Sequence, residues 1–218
     1  LQSCADKIGA PLMISGRDFD IRAGADGGGT LISPAGRIDF PRPGLAGAHQ
    51  IENAGLALMA LQATRPYTAD GIANAQWPGR FQRLDNGALA DAWPHRQIWL
   101  DGAHNAHGAH ALANSLRGIH DGKWNVICGA LNTRDPAEFL TALKALAGRV
   151  ACLTIPDQDA SLSAAELRDA ATEQGLNASA AATLTTAFDS LDPSLPVIIC
   201  GSLYLAGHVL AQNKTLPD

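Results

Sequence analysis

The stretch "RQIWLDGAHNAHGAHALANSLR", residues 96–117, decides the reading of the chain. An apolar run, Ile98, Trp99 and Leu100, stops at Asp101 and Gly102, and a helical pattern follows from about residue 106 to 117. A short β-prone run passing through a polar, glycine-containing turn into a helix is the opening of a βαβ unit. The arrangement recurs. "WNVICGAL", "RVACLTI" and "LPVIICG" alternate with helical segments near 135–147, 163–175, 183–190 and 202–212, and "NASAA" at 177–181 supplies one more strand. Strands alternating with helices predict a doubly wound, mostly parallel, Rossmann-like α/β domain.

Upstream the pattern changes. "FDIRAG", "GTLISPAG" and "RIDFPRP" are short β-prone runs separated by Gly, Asp and Pro turns, and "DGGGT" between two of them reads as a hairpin turn, since no helix follows it. "HQIENAGLALMALQA", 49–63, carries an apolar stripe of Ile51, Ala54, Leu58 and Leu61 at helical spacing, with His49 and Asn53 sharing another face. "TRPYTADGIANAQWPGR", 64–80, is polar and rich in Pro and Gly, which suits a domain boundary. The opening "LQSCADKIGAPLMISG" lacks an initiator methionine and reads as the end of a helix, 3–8, running into a strand, 12–15, as expected of a chain that starts inside a larger protein.

Composition limits the function classes. The formal charge is -5 and no Lys/Arg cluster occurs, which argues against nucleic acid as a partner. No apolar run approaches membrane-spanning length. Cys4, Cys128, Cys152 and Cys200 have no metal-ligand spacing, and three of them lie in or beside apolar runs. Reduced thiols in a cytoplasmic protein are the expectation.

In an open α/β sheet, ligands bind beyond the carboxyl ends of the strands. Three loops fall there: "DGAHN", "GALNTRD" and "GSLY". Asp101 can accept from vicinal ribose hydroxyls, or Asp101 or Asn105 can cap the next helix. His104, at the turn or first helical position, can donate to a phosphate or carboxylate oxygen, or can be surface. His104, His107 and His110 also invite a metal reading. However, two steps of three residues leave the first and third about 120° apart around a helix, which suits a tetrahedral ion poorly. Arg80 offers a guanidinium fork for phosphate, or a surface charge. Asn53 can read a base edge or sit on a helix surface. Ser202 can cap the last helix, bind a ligand, or both.

The order of "AGAHQIENAGLAL", "WPGRFQ", "LDGAHNAHG", "GALNTRD" and "CGSLYLAGHVL" resembles the C-terminal half of folylpolyglutamate synthases and bifunctional dihydrofolate synthases, within the Mur ligase superfamily. That resemblance implies a fold: residues 1–76 as the C-terminal tail of a central ATP-binding domain, and 77–218 as a C-terminal Rossmann-like ligase domain. It also implies a reaction, in which ATP converts a folate or pteroate carboxylate to an acyl phosphate and the amine of L-glutamate displaces phosphate. ATP with Mg2+, L-glutamate and dihydropteroate or a reduced folate are the partners implied, in a protein monomeric at full length. By motif, Asn53 would lie near adenine, Arg80 near the phosphates and Asp101 near the ribose, with His104 and Ser202 at glutamate or the reacting centre.

The chain departs from the family at Ala106, where many relatives have proline, and at Arg134, where many have lysine. It contains no Gly-Lys-Ser/Thr phosphate loop. The metal ligands are therefore expected upstream, and the isolated chain is expected to be inactive. Two alternatives remain at this stage: a stand-alone nucleotide- or glutamate-binding module without catalysis, and a metal-dependent hydrolase built on Asp101 and the histidines.

Overall fold

A computed structural model describes residues 1–62 and 68–216. The chain divides into two compact units, Leu1–Gln76 and Trp77–Asp218. Of the polar stretch 64–80, residues 64–67 lie outside the described residues, as does Ala63 at the end of the helix expected over 49–63.

The first unit begins with helix α1 (Gln2–Ile8), closed by Gly9 in the left-handed region. Strands β1 (Asp20–Ala23), β2 (Gly29–Ser33) and β3 (Gly36–Phe40) form an antiparallel meander. "DGGGT" spans the first turn and the start of β2, with Gly29 and Thr30 already in the strand. Helix α2 (His49–Gln62) packs against the sheet, and Phe19, Leu31, Phe40, Ala54 and Leu58 form the core between them. The stripe predicted along α2 is buried at Ala54 and Leu58, whereas Leu61 is exposed.

The strand expected over 12–15 does not form; only an isolated bridge joins Ser15 to Phe19. The reason is local. Ile14 gives its N–H to the Asp18 carboxylate, and its carbonyl accepts from the N–H groups of Arg17 and Asp18. A tight turn has taken the groups a ladder needs.

The second unit is a three-layer α/β/α domain. Its sheet contains β4 (Gln82–Arg83), β5 (Ile98–Leu100), β6 (Trp124–Cys128), β7 (Ala147–Leu153), β8 (Asn177–Ala181) and β9 (Val197–Cys200). The order across the sheet is β4-β5-β9-β6-β7-β8, with all neighbours parallel except β4 against β5. The sheet is therefore mixed and mostly parallel. Sequence periodicity misses β4, because two polar residues make no apolar run.

Central strands buried on both sides send alternate residues to each face. Trp124, Val126 and Cys128 of β6 join the core under α4 (Ala106–Arg117), α5 (Ala137–Leu143) and α6 (Ala164–Glu173). Ile127 faces the other way, toward α3 (Ala88–Ala92), α7 (Leu184–Ser190) and α8 (Leu203–Asn213). On that side Trp93 stacks on Phe188, with ring centroids 4.1 Å apart. Phe188 is fully buried, which contributes roughly 1.5–3 kcal/mol.

This topology positions the site. The crossovers from β5, β6 and β7 run over one face and the return from β8 to β9 over the other, so β9 enters between β5 and β6. Loops after β5 and β6 turn toward one layer of helices, and the loop after β9 turns toward the other. A crevice at such a reversal is where doubly wound sheets bind ligands.

Candidate functional site

Asp101, Gly129 and Gly201 each follow directly on one of three adjacent parallel strands, and backbone hydrogen bonds tie the three ends together. The Asp101 N–H donates to Ile199 O (2.9 Å), the Gly201 N–H to Ala103 O (2.8 Å) and the Gly129 N–H to Cys200 O (3.3 Å). Gly201 holds φ +108, and a Cβ there would meet Gly129 O at 2.5 Å and Cys128 Sγ at 2.9 Å. Only glycine fits this crossing of backbones.

Asp101 is 8% exposed, and both of its carboxylate oxygens accept backbone donors. Phe81 N–H reaches Oδ2 and Ala103 N–H reaches Oδ1, each at 2.7 Å. The first of these bonds, with Gly102 N–H to Gly79 O at 2.7 Å, clips the turn holding Trp77, Gly79 and Arg80 onto the β5 end. Gly79 sits at φ +69, and its own N–H donates to Gln82 Oε1. Arg80 is thereby held beside Asp101 in the chain path. Its guanidinium makes no hydrogen bond or ion pair among the described residues.

The cap of α4 is Asn105, whose side chain accepts from Gly108 N–H at 2.8 Å, not Asp101. His104 precedes that cap and lies outside the helix. Its Nδ1 is 2.9 Å from Gly102 O. A carbonyl can only accept, so Nδ1 carries the proton, and in the neutral ring Nε2 is left with its lone pair. His107 and His110 are exposed on α4. Among the described residues no three His, Cys, Asp or Glu side chains are grouped so as to hold a metal ion. Ser202 caps α8, its Oγ accepting from Tyr204 N–H at 3.1 Å, and it is buried.

A cavity of about 220 Å³ opens among these loops. His104 lines it from the β5 loop, Thr133, Arg134 and Asp135 from the β6 loop, Ser202 from the β9 loop and Tyr204 from the first turn of α8, with Leu131, Phe139 and Leu203 as apolar wall. The β6 loop is strapped down by Asn132 N–H to Ala160 O (2.7 Å) and Leu162 N–H to Ala130 O (2.9 Å). Asp135 is engaged at the start of α5, where Oδ1 accepts from Ala137 N–H at 2.9 Å.

Of the residues singled out in the sequence, His104 and Ser202 meet in this cavity, and Arg80 and Asp101 belong to the adjoining clipped turn. Asn53 lies in the first unit, exposed on α2, donating to Gln50 Oε1 at 3.0 Å. The sequence marked "GALNTRD" as a ligand-facing loop without selecting from it Thr133, Arg134 or Asp135, and it did not select Tyr204.

Residues 79–203 match the family model described as the Mur ligase, glutamate ligase domain. The chain belongs to this family. The match begins in the clipped turn and ends at the first residue of α8, so it takes in every cavity residue named above except Tyr204. The Mur ligase relatives include a folylpolyglutamate synthase of Lacticaseibacillus casei, 30% identical over 88% of this chain and 46% of its own length. A probable bifunctional folylpolyglutamate synthase/dihydropteroate synthase of Haloferax volcanii is 31% identical over 85% of this chain and 22% of its own length. The chain thus spans less than half the length of either. The solved folylpolyglutamate synthase of Mycobacterium tuberculosis, complexed with ADP and AMPPCP, superposes with a TM-score of 0.77 at 24% identity, over 100% of this chain and 53% of that one. At that identity the likeness speaks for the fold.

Proposed function

We propose that this chain is part of an ATP-dependent ligase that adds L-glutamate to dihydropteroate or to folates through an acyl phosphate. The observation that carries this reading is the cavity where His104, Ser202 and the β6 loop converge, at the topological switch point of a Mur ligase domain. The named activities of the relatives point to the substrates.

In this reading the terminal phosphoryl group of ATP moves to a carboxylate oxygen of the folate, and ADP leaves. The glutamate amine attacks the acyl carbon, the bond from carbon to the phosphate oxygen breaks, and an amide and phosphate result. His104, with Nδ1 tied to Gly102 O, offers Nε2 to take the proton that the amine sheds. Ser202 Oγ, fixed by its cap bond, offers its hydroxyl proton to a carboxylate of the amino acid. Arg80 would face the nucleotide phosphates with its unengaged guanidinium. Asp101 would meet the ribose while holding the turn that presents Arg80. Asn53 would meet adenine.

Mg2+ would accompany the nucleotide as charge neutralisation on its phosphates. Among the described residues no three His, Cys, Asp or Glu side chains are grouped so as to hold a metal ion. Residues 1–76 act in this reading as the tail of a central ATP-binding domain and 77–218 as the ligase domain. Without a phosphate loop the 218 residues alone turn over no ATP.

The test is transfer of labelled L-glutamate onto dihydropteroate and tetrahydrofolate, using the full reading frame beside this chain. Transfer by the long form alone is the expected result. ATP-dependent product from the 218 residues alone would sink the proposed division of labour. No transfer by either form would sink the ligase reading and favour a binding module.

A further inference from the structure

Phe81 is a bulky residue in a backbone conformation that bulky residues avoid. Its φ is +44, in the left-handed region, where Cβ crowds the following carbonyl. Among the described residues two other non-glycine residues hold a positive φ, Asp157 and Lys214, and both are exposed. Lys214 closes α8, where a left-handed residue is a common way to end a helix. Phe81 is different. It is buried and stands directly before β4. A residue persists in such a conformation only where its surroundings over-determine it.

Two contacts do so. The Phe81 N–H donates to Asp101 Oδ2 at 2.7 Å, and its ring lies against Trp99, with centroids 4.7 Å apart and planes tilted by 32°. Trp99 is a buried residue of β5, so the Phe81 ring is seated on the sheet itself. On the other side of Arg80, Gly79 also holds a positive φ, +69. Its carbonyl accepts from Gly102 N–H at 2.7 Å and its N–H donates to Gln82 Oε1 at 2.9 Å. Arg80 thus stands between two residues in the left-handed region, each tied to the end of β5. The angle φ is a rotation about the N–Cα bond. With the ring and β4 held in place, relaxing φ at Phe81 would swing the preceding peptide, which carries both the Phe81 N–H and the Arg80 carbonyl. The strained angle is therefore what sets the root of the Arg80 side chain.

We propose that Phe81 is the positioning residue for Arg80, its ring on Trp99 holding the strained turn that keeps the guanidinium at the nucleotide phosphates. This rests on reading Arg80 as a phosphate contact of the ligase. Phe81 touches no substrate and acts through its neighbour. A root fixed in advance lowers the ordering cost that the nucleotide would otherwise have to meet on binding.

The experiment uses proteins made from the full reading frame: wild type, Arg80→Ala, Phe81→Leu, Phe81→Gly and the double variant Arg80→Ala/Phe81→Leu. Leucine keeps the N–H and a buried apolar side chain but loses the flat ring. Glycine adopts a positive φ without strain but leaves nothing to seat on Trp99. In Phe81→Leu the KM for ATP should rise about 3- to 10-fold, the loss of one aromatic contact, and in Phe81→Gly it should rise further. The KM for L-glutamate should not move. The double variant should show the KM for ATP of Arg80→Ala alone, because nothing is left to position. Should Phe81→Gly fail to fold, Phe81→Leu and the double variant decide the matter. A Phe81→Leu protein that melts lower but keeps the wild-type KM for ATP makes the ring merely structural and overturns the proposal, and the ligase reading stands. A rise that adds in full to that of Arg80→Ala overturns it too, since the ring would then act by another route. If Arg80→Ala leaves the KM for ATP unchanged, the phosphate role of Arg80 falls and this proposal with it. Wild-type protein without ATP-dependent transfer would remove the ligase reading as well.

Discussion

Asp101 shows how one buried side chain can tie two stretches of backbone together. Each carboxylate oxygen accepts a backbone N–H at 2.7 Å, and the group is almost wholly buried. Removing an acceptor from two buried donors costs more than the bonds are worth, because the donors stay out of water. Asp101→Ala should therefore destabilise the second unit by about 3 kcal/mol, read as a fall in the urea midpoint at unchanged slope. Asp101→Asn should recover only part of this, since its amide nitrogen would face one of the two N–H groups as a second donor. An Asp101→Ala protein as stable as the wild type would mean that the carboxylate serves the ligand alone. The sequence placed this residue at a strand end and left its role open between ribose and helix cap. The cap went to Asn105, and the partner that decided the matter, Phe81 N–H, lies twenty residues away in sequence. No local pattern encodes that pairing. Arg134 escaped selection for a similar reason, since the straps from Ala160 and Leu162 that shape its loop join segments some thirty residues apart.

At the scale of elements, three strand ends carry a row of thiols. Cys128 is in register with Cys152 on β7 and with Cys200 on β9, all three fully buried on the face covered by α4, α5 and α6. Burial pushes each thiol up from its ordinary value of 9.0, Cys152 to about 12. Below pH 9 both folded and unfolded chains hold these protons, and the full stability is present. Above it the unfolded chain releases protons that the folded chain keeps, so stability falls as the pH rises from 9 toward 12. The slope is about 1.4 kcal/mol per pH unit for each thiol in this range. Urea midpoints at pH 8, 9 and 10 should decline, and Cys152→Ala should decline less steeply. Equal slopes would remove this thiol from the account. At pH 8 a thiol reagent should modify exposed Cys4 at once and the other three only on unfolding. The strands that carry this row were legible because each is a continuous apolar run bounded by turn residues. β4 was not, having two polar residues, and 12–15 misled because its apolar run lies in a turn closed by the Asp18 carboxylate.

At the scale of the whole molecule, the hydrophobic clusters follow the division into units. The two clusters of the α/β domain take every buried member from Phe81 onward, and the third takes its members from Phe19 to Leu58. A domain of about 140 residues with two filled layers is of a size to fold alone, with a stability of roughly 5–15 kcal/mol. The first unit, by contrast, rests among the described residues on one cluster of five buried hydrophobic residues and one antiparallel meander. Residues 77–218 produced alone should unfold in urea in one cooperative transition, at the midpoint shown by that domain in the whole chain. Residues 1–76 alone should show a broad, low-midpoint transition or none. Loss of cooperativity in the 77–218 fragment would mean that its sheet depends on the first unit. Arg80, Asp101, His104, Arg134 and Ser202 all lie within that fragment, and Asn53 does not. The fragment should therefore respond to L-glutamate, in an amide NMR titration, as the whole chain does. Nucleotide should bind the fragment more weakly than it binds the whole chain. A fragment that folds but binds nucleotide as tightly as the whole chain would overturn the proposed role of Asn53 and leave the proposed glutamate site untouched.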